Sequence, residues 1–222
     1  MFAFAVTLLV VSLEVPQTFT ELLTAMRGFI AFAISFALLT SVWYGHYIFF
    51  RRYGLRDRYT TMLNIILLFL VLFYVYPLKF VFTLLVNQLF GFGTEVVLPN
   101  GATEPMIAAE QGPLLLIIYG AGYVAVLLVF ALLYHHAYRN RAALELNMIE
   151  TFDTVTSLQG WLLDSSVGVL SILIALIAGS DGVTWAGYAY FLLPVERTLH
   201  GLLRGRLHRA LEPRPSTPSE QS

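Results

Sequence analysis

The sequence contains no cysteine. Disulfides, thiolate metal sites and lipidated cysteines are therefore all excluded. Charge is scarce too: Asp, Glu, Lys and Arg make up 12% of the 222 residues, against about 25% in soluble domains. No Lys or Arg precedes Arg27, and Glu14-Val15-Pro16 follows the opening apolar run. A signal-peptide reading of that run thus lacks both the basic segment and the small residues of a cleavage point. HExxH, GxSxG, a phosphate-binding loop and paired intramembrane carboxylates are all absent, so no catalytic chemistry is encoded in a known pattern. No enzyme activity, cofactor, metal or nucleic-acid partner is expected.

What the sequence does have is apolar length. Hydrophobic residues make up 58% of the chain and the mean hydropathy is +0.73, which places it in the lipid bilayer. Runs near Gly28–Phe50, Met62–Tyr76, Pro113–Tyr134, Trp161–Ala178 and Val183–Leu203 each approach the ~20 residues that a spanning helix needs. Pro77 and Lys79 mark an interface or a kink, after which Phe80–Phe92 either continues the helix or lies on the membrane surface. The opening MFAFAVTLLVV makes a sixth span. At 1.5 Å per residue, residues 1–15 cover roughly 22 Å of a ~30 Å hydrocarbon core. The expected fold is an all-α integral membrane protein, a six-helix bundle over residues 1–208. The Pro- and Ser-rich residues 209–222 form a disordered tail.

The basic residues are sorted by side. Eleven of the thirteen lie after the even-numbered spans: Arg51, Arg52, Arg56, Arg58, Arg139, Arg141, Arg197, Arg204, Arg206, Arg209 and Arg214. The connection between spans three and four carries Glu95, Glu104 and Glu110 and no cation. Basic flanks mark the cytoplasmic face, so both termini are expected inside. Cleavage of the first segment would leave the orientation of the other five unchanged.

A few polar groups lie within the apolar runs. Trp43 and His46, at i and i+3, share a helix face near the cytoplasmic end of span two, and Asn64 lies about a turn into span three. Bonds among them would fix helix register, averaging about 0.6 kcal/mol each; the alternative is direct contact with a transported species. Asp164 in span five costs about 2.5–3.5 kcal/mol if central and unpaired, and shares a face with Asp153 if the helix begins near Glu150. His135 and His136 diverge by about 100° on a helix and fit an interfacial position beside Tyr134, Tyr138 and Arg139. Gly120 and Gly122 permit close helix approach.

In order, FAFAVTLLVVSLEVP, TELL, SFALLTSVWYGHYIFFRR and DRYTTMLNIILLFLVLFYVYPLKFVFTLL resemble the transmembrane protein 175 family of potassium channels. The resemblance is densest over residues 2–85 and rests on the apolar helix ending Glu14-Val15-Pro16, on Trp43-x-x-His46, Asp57, Asn64 and Pro77. It implies a homotetramer of six-helix chains whose partners are potassium ions and the bilayer, with a pore lined by the first helix. The family constriction falls on Phe4, with Leu8 and Val11 one and two turns outward and Thr7 beside them. The family's Arg-x-x-x-Phe-Ser-Asp motif would fall just upstream of Met1, so the expectation is an N-terminally truncated sequence or a divergent member. On the residues alone, Phe4, Leu8 and Val11 could equally face neighbouring helices. The reading is a passive potassium channel. A small proton-coupled carrier using Asp164, His46 and Asn64, or a membrane scaffold without transport, are the alternatives.

Overall fold

The computed structural model describes residues 17–98 and 101–211, together with Thr7. Helix α1 runs from Phe19 to Tyr53. The Thr18 hydroxyl accepts the Glu21 N–H at 3.1 Å and the Glu21 carboxylate accepts the Gln17 N–H at 2.7 Å, which satisfies amides that a helix start leaves free. The helix stops at Gly54, whose φ of 58° lies in the left-handed region and whose N–H returns to Phe50 O. Helix α2 follows over Arg58–Phe90, capped by Asp57. It runs through Pro77, so Phe80–Phe90 continues the helix instead of lying on the surface. The proline ring removes one backbone donor, but the flanking apolar residues keep both halves in one rod.

A short hairpin joins α2 to the next helix. Strand β1 (Glu95–Val97) pairs antiparallel with β2 (Thr103–Pro105), with Val96 opposite Glu104. No sequence signal had set this ribbon apart from a loop. Helix α3 covers Gly112–Arg139 with Pro113 at its first turn, where a missing N–H costs nothing. Helix α4 covers Met148–Ala178. Its start is fixed by a reciprocal pair, Asn147 Oδ1 accepting from Glu150 N and Glu150 Oε2 accepting from Asn147 N, each at 2.9 Å.

The expected sixth span at 183–203 is not one continuous helix. After a 3₁₀ turn at Gly179–Gly182 come α5 (Val183–Tyr188), a second 3₁₀ turn (Ala189–Phe191) and α6 (Leu192–Leu211). Pro194 sits in the first turn of α6, the place where it is tolerated and where it prevents α5 from running straight on. The returning segment folds back along α4 as an antiparallel helical hairpin. Ser171 Oγ donates to Ala186 O at 2.8 Å, Arg197 bonds Asp164, and the Arg204 guanidinium lies 5.3 Å from the Phe152 ring centroid.

By length and composition, four stretches among the described residues can cross a membrane: Glu21–Tyr53, Arg58–Phe90, Ala109–Arg139 and the hairpin Met148–Leu207. The chain is thus a mostly helical membrane protein. Apart from Thr7, the first expected span lies outside the described residues, as do residues 212–222 of the expected tail; residues 209–211, expected in that tail, are the last residues of α6. The core lies where α1, α2 and α3 meet, around Phe49, Leu67, Val75, Phe130 and Leu133, all fully buried. Phe130 stacks on Trp161 of α4 at 4.6 Å, which joins the hairpin to this core.

Candidate functional site

Of the four residues expected to line an ion path, Thr7 is helical and exposed; Phe4, Leu8 and Val11 lie outside the described residues. The three residues expected to bond across helices are all described. His46 and Asn64 are half-buried, and His46 Nε2 lies 2.7 Å from Asn64 Oδ1. Because an amide oxygen can only accept, the imidazole nitrogen is the donor. The neighbouring Gly45 faces the other way, toward α3 and α4, where a Cβ would stand at ordinary contact distance, 3.4 Å from Trp161 and 3.5 Å from Phe130. Trp43 points elsewhere: it is 44% exposed and stacks on Tyr47 with ring centroids 5.8 Å apart.

Close to the α1–α2 connection, Asp57 gathers several bonds. Its carboxylate accepts from the N–H groups of Tyr59 (3.1 Å) and Thr60 (3.3 Å) and from the Thr60 hydroxyl (2.6 Å). His136 of α3 reaches it at 3.0 Å, and the Tyr59 ring packs on that imidazole at 4.7 Å. The Thr60 hydroxyl above all, opposed by partial burial and assisted by His136, lowers the Asp57 carboxyl to about 2. His136 therefore serves as a tie between α3 and the α2 cap. Arg52 makes a second tie at the same end, bonding Asp153 at 3.1 Å, while the Tyr53 and Thr154 hydroxyls meet at 2.7 Å.

The most expensive polar group lies deeper. Asp164 is 4% exposed and stands 16 residues after Met148 and 14 before Ala178, so about 24 Å of helix precedes it. Arg197 grips it with two nitrogens, Nε at 3.0 and 3.2 Å and Nη2 at 2.7 Å. Such a fork is the strongest geometry available to this pair. Asp164 and Asp153 do not act together, since each has its own arginine on a different element. Asp164 bonds Arg197 of α6, whereas the His46–Asn64 bond belongs to α1 and α2.

Sequence reasoning missed Arg197, which it assigned to the basic end of span six. A signal was present: Asp164 lies 15 residues before Gly179 and Arg197 lies 15 after Gly182. Opposite charges equidistant from a hairpin tip meet when the arms are antiparallel. It also missed Tyr74, whose hydroxyl donates to Tyr119 O at 2.8 Å and accepts from Gly122 N at 2.9 Å. Gly122 did stand out as a site of close approach, and a Cβ there would overlap the Tyr74 ring.

Comparison with known proteins gives consistent findings. The family profile described as "Endosomal/lysosomal potassium channel TMEM175" matches residues 1–74. A protein of Marivirga tractuosa named "Potassium channel" is 41% identical over 213 residues, covering 95% of this chain and 86% of that protein. Among solved structures, a single-substitution variant of the potassium channel MtTMEM175, crystallised with a nanobody–MBP fusion, superposes with a TM-score of 0.77 at 40% identity. That match covers 94% of this chain and 89% of the other. Likeness at this identity extends through the α4–α6 hairpin as well as the first helices, and the chain belongs to the TMEM175 family of potassium channels.

Proposed function

We propose that this chain is a passive potassium channel of a prokaryotic plasma membrane, working as a homotetramer. The observation that carries the reading is likeness over nearly the whole length to a protein named as a potassium channel, joined by a solved channel structure of the same extent. In this reading the chain crosses the bilayer six times, the hairpin supplying the last two crossings, and both termini lie in the cytoplasm. The sorting of arginines supports that orientation.

The pore belongs to the first helix. Phe4, Leu8 and Val11 follow i, i+4, i+7 and so form one stripe, with Thr7 beside it. Four copies of that stripe around an axis make a greasy constriction with no carbonyl or acidic ring. Such a constriction gates by excluding water, and a narrow bore discriminates among ions through the cost of stripping their hydration. The His46–Asn64 bond holds α1 and α2 in register behind it, and Trp43 flanks that bond on the exposed face of α1. Transport is downhill: the sequence has no nucleotide-binding loop and no repeated half of the kind alternating access uses.

The test is flux into liposomes containing the purified chain. A potassium gradient alone should drive charge movement, with weak saturation as potassium is raised. A requirement for an imposed proton gradient would make the protein a carrier, and silence in folded, correctly inserted protein would make it a scaffold. Either result overturns the channel reading.

A further inference from the structure

Helix α6 carries Glu196, His200 and Arg204 at i, i+4 and i+8, one stripe of its surface, and that stripe faces α4. The His200 ring lies 3.8 Å from where a Cβ of Gly160 would stand, and Arg204 lies over Phe152. Beside Glu196, Arg197 is committed to Asp164 through both Nε and Nη2. The Glu196 carboxyl interacts with the Asp164 carboxyl. Yet both Glu196 oxygens are buried with no hydrogen-bond partner among the described residues, as are His200 Nε2 and Tyr123 Oη.

With every carboxyl ionised, the charges do not balance. Two carboxyl groups face one guanidinium, and the guanidinium already forks onto one of them. A second carboxylate would be buried, unpaired and next to a like charge at membrane depth, a combination that proteins avoid. The other titratable groups with buried, unpartnered atoms on this surface are Tyr123 from α3, Tyr190 from the turn before α6, and His200 one turn along α6; a proton held by His200 instead would leave Glu196 ionised. One proton resolves both faults. On Glu196 it removes the excess charge and supplies an O–H donor, and the Asp164 oxygens keep lone pairs beyond those used by Arg197.

We propose that Glu196 is a proton-binding site. Its carboxyl carries a proton at neutral pH and donates it in a hydrogen bond to Asp164, which stays ionised against Arg197. The ligand is the proton itself, and the packing of α6 on α4 depends on its presence. This site stands apart from the pore helix, and its test does not require that the chain conduct.

Infrared spectra of the full chain in lipid vesicles test the site directly. At neutral pH the wild type should show the carbonyl stretch of a protonated carboxylic acid. That band should shift when the protein is labelled with ¹³C-glutamate and should be missing from Glu196→Gln. A neutral wild-type sample without such a band, or a band that persists unchanged in Glu196→Gln, overturns the proposal. The labelling experiment needs no variant, so a wild type without a shifting glutamate band overturns the proposal even if the substitution impairs folding. A second measurement follows the melting temperature from neutral to alkaline pH. The wild type should lose stability as Glu196 gives up its proton, whereas Glu196→Gln, a permanently neutral mimic, should not. Parallel curves for the two proteins contradict the assignment.

Discussion

Tyr74 illustrates what a single residue contributes at the middle of the bundle. It sits 16 residues from each end of α2 and places one hydroxyl between two backbone groups of α3. Apolar helices have no hydrophobic drive to associate in lipid, so close backbone approach and such bonds decide which faces meet. Gly122→Ala should therefore destabilise the protein by about 1–3 kcal/mol through overpacking against the ring, and Tyr74→Phe by about 1 kcal/mol through loss of its bonds; thermal unfolding in detergent measures both. Equal stability of Gly122→Ala and wild type would mean that α3 can slide away from Tyr74. The glycine was legible in the sequence as a point of close approach, but its partner was not, because 48 residues separate them. Asp57 offers a test of a different kind. It caps α2, and Asp57→Ala should cost about 1 kcal/mol at neutral pH. The folded carboxyl titrates at about 2, below the ordinary value of about 3.9. Its contribution is thus fully present above about pH 4 and fades as pH falls toward 2. Melting curves of wild type and variant should converge over that window, and a constant gap would contradict the assigned role.

At the scale of elements, the α4–α6 hairpin shows where reading the sequence succeeded and where it failed. The start of α4 was legible only as one of two alternatives. The apolar run begins at Trp161, a helix beginning near Glu150 is the other possibility, and the structure starts it at Met148 behind the Asn147-x-x-Glu150 cap. The return arm was not legible, because an average over a hydrophobic run hides both the 3₁₀ turn before Pro194 and the direction of each side chain. Arg197 looked like one more basic residue at a membrane end. Its position is set instead by the antiparallel return of α6, a tertiary fact. Arg197→Met should leave Asp164 charged and unpaired, at a cost of about 3 kcal/mol. The lower end of the usual range applies because the Arg197 side chain is 62% exposed in the single chain. The double variant Asp164→Asn/Arg197→Met removes both charges and keeps an acceptor for Glu196. It should recover more than half of that loss in denaturant or thermal unfolding, because a buried ion pair contributes far less than its broken half costs. If the double variant is as unstable as the single one, the guanidinium contributes by packing and not by compensating charge.

For the whole molecule, the features that were legible early are the ones set by the bilayer. Apolar length marks a helical membrane protein, and the ordered residues from FAFAVTLLVV to Pro77 mark the family. The 1–74 match of the family profile falls within that same stretch. The assembly is a larger step, because a pore shared by several chains leaves only a one-sided greasy stripe in any one of them. Phe4 is the residue where that step can be tested, although it lies outside the described residues. If four Phe4 rings narrow a common axis, Phe4→Ala widens and wets the constriction. A barrier lowered by about 1.4 kcal/mol raises flux about tenfold, and potassium flux into liposomes should rise by that order. Selectivity over sodium should fall in the same experiment, because a wider bore strips less water from either ion. Native mass spectrometry of the same preparation should count four chains. A monomer with unchanged flux would place Phe4 against lipid or a neighbouring helix, and the ion path would then have to be sought between the helices of one chain.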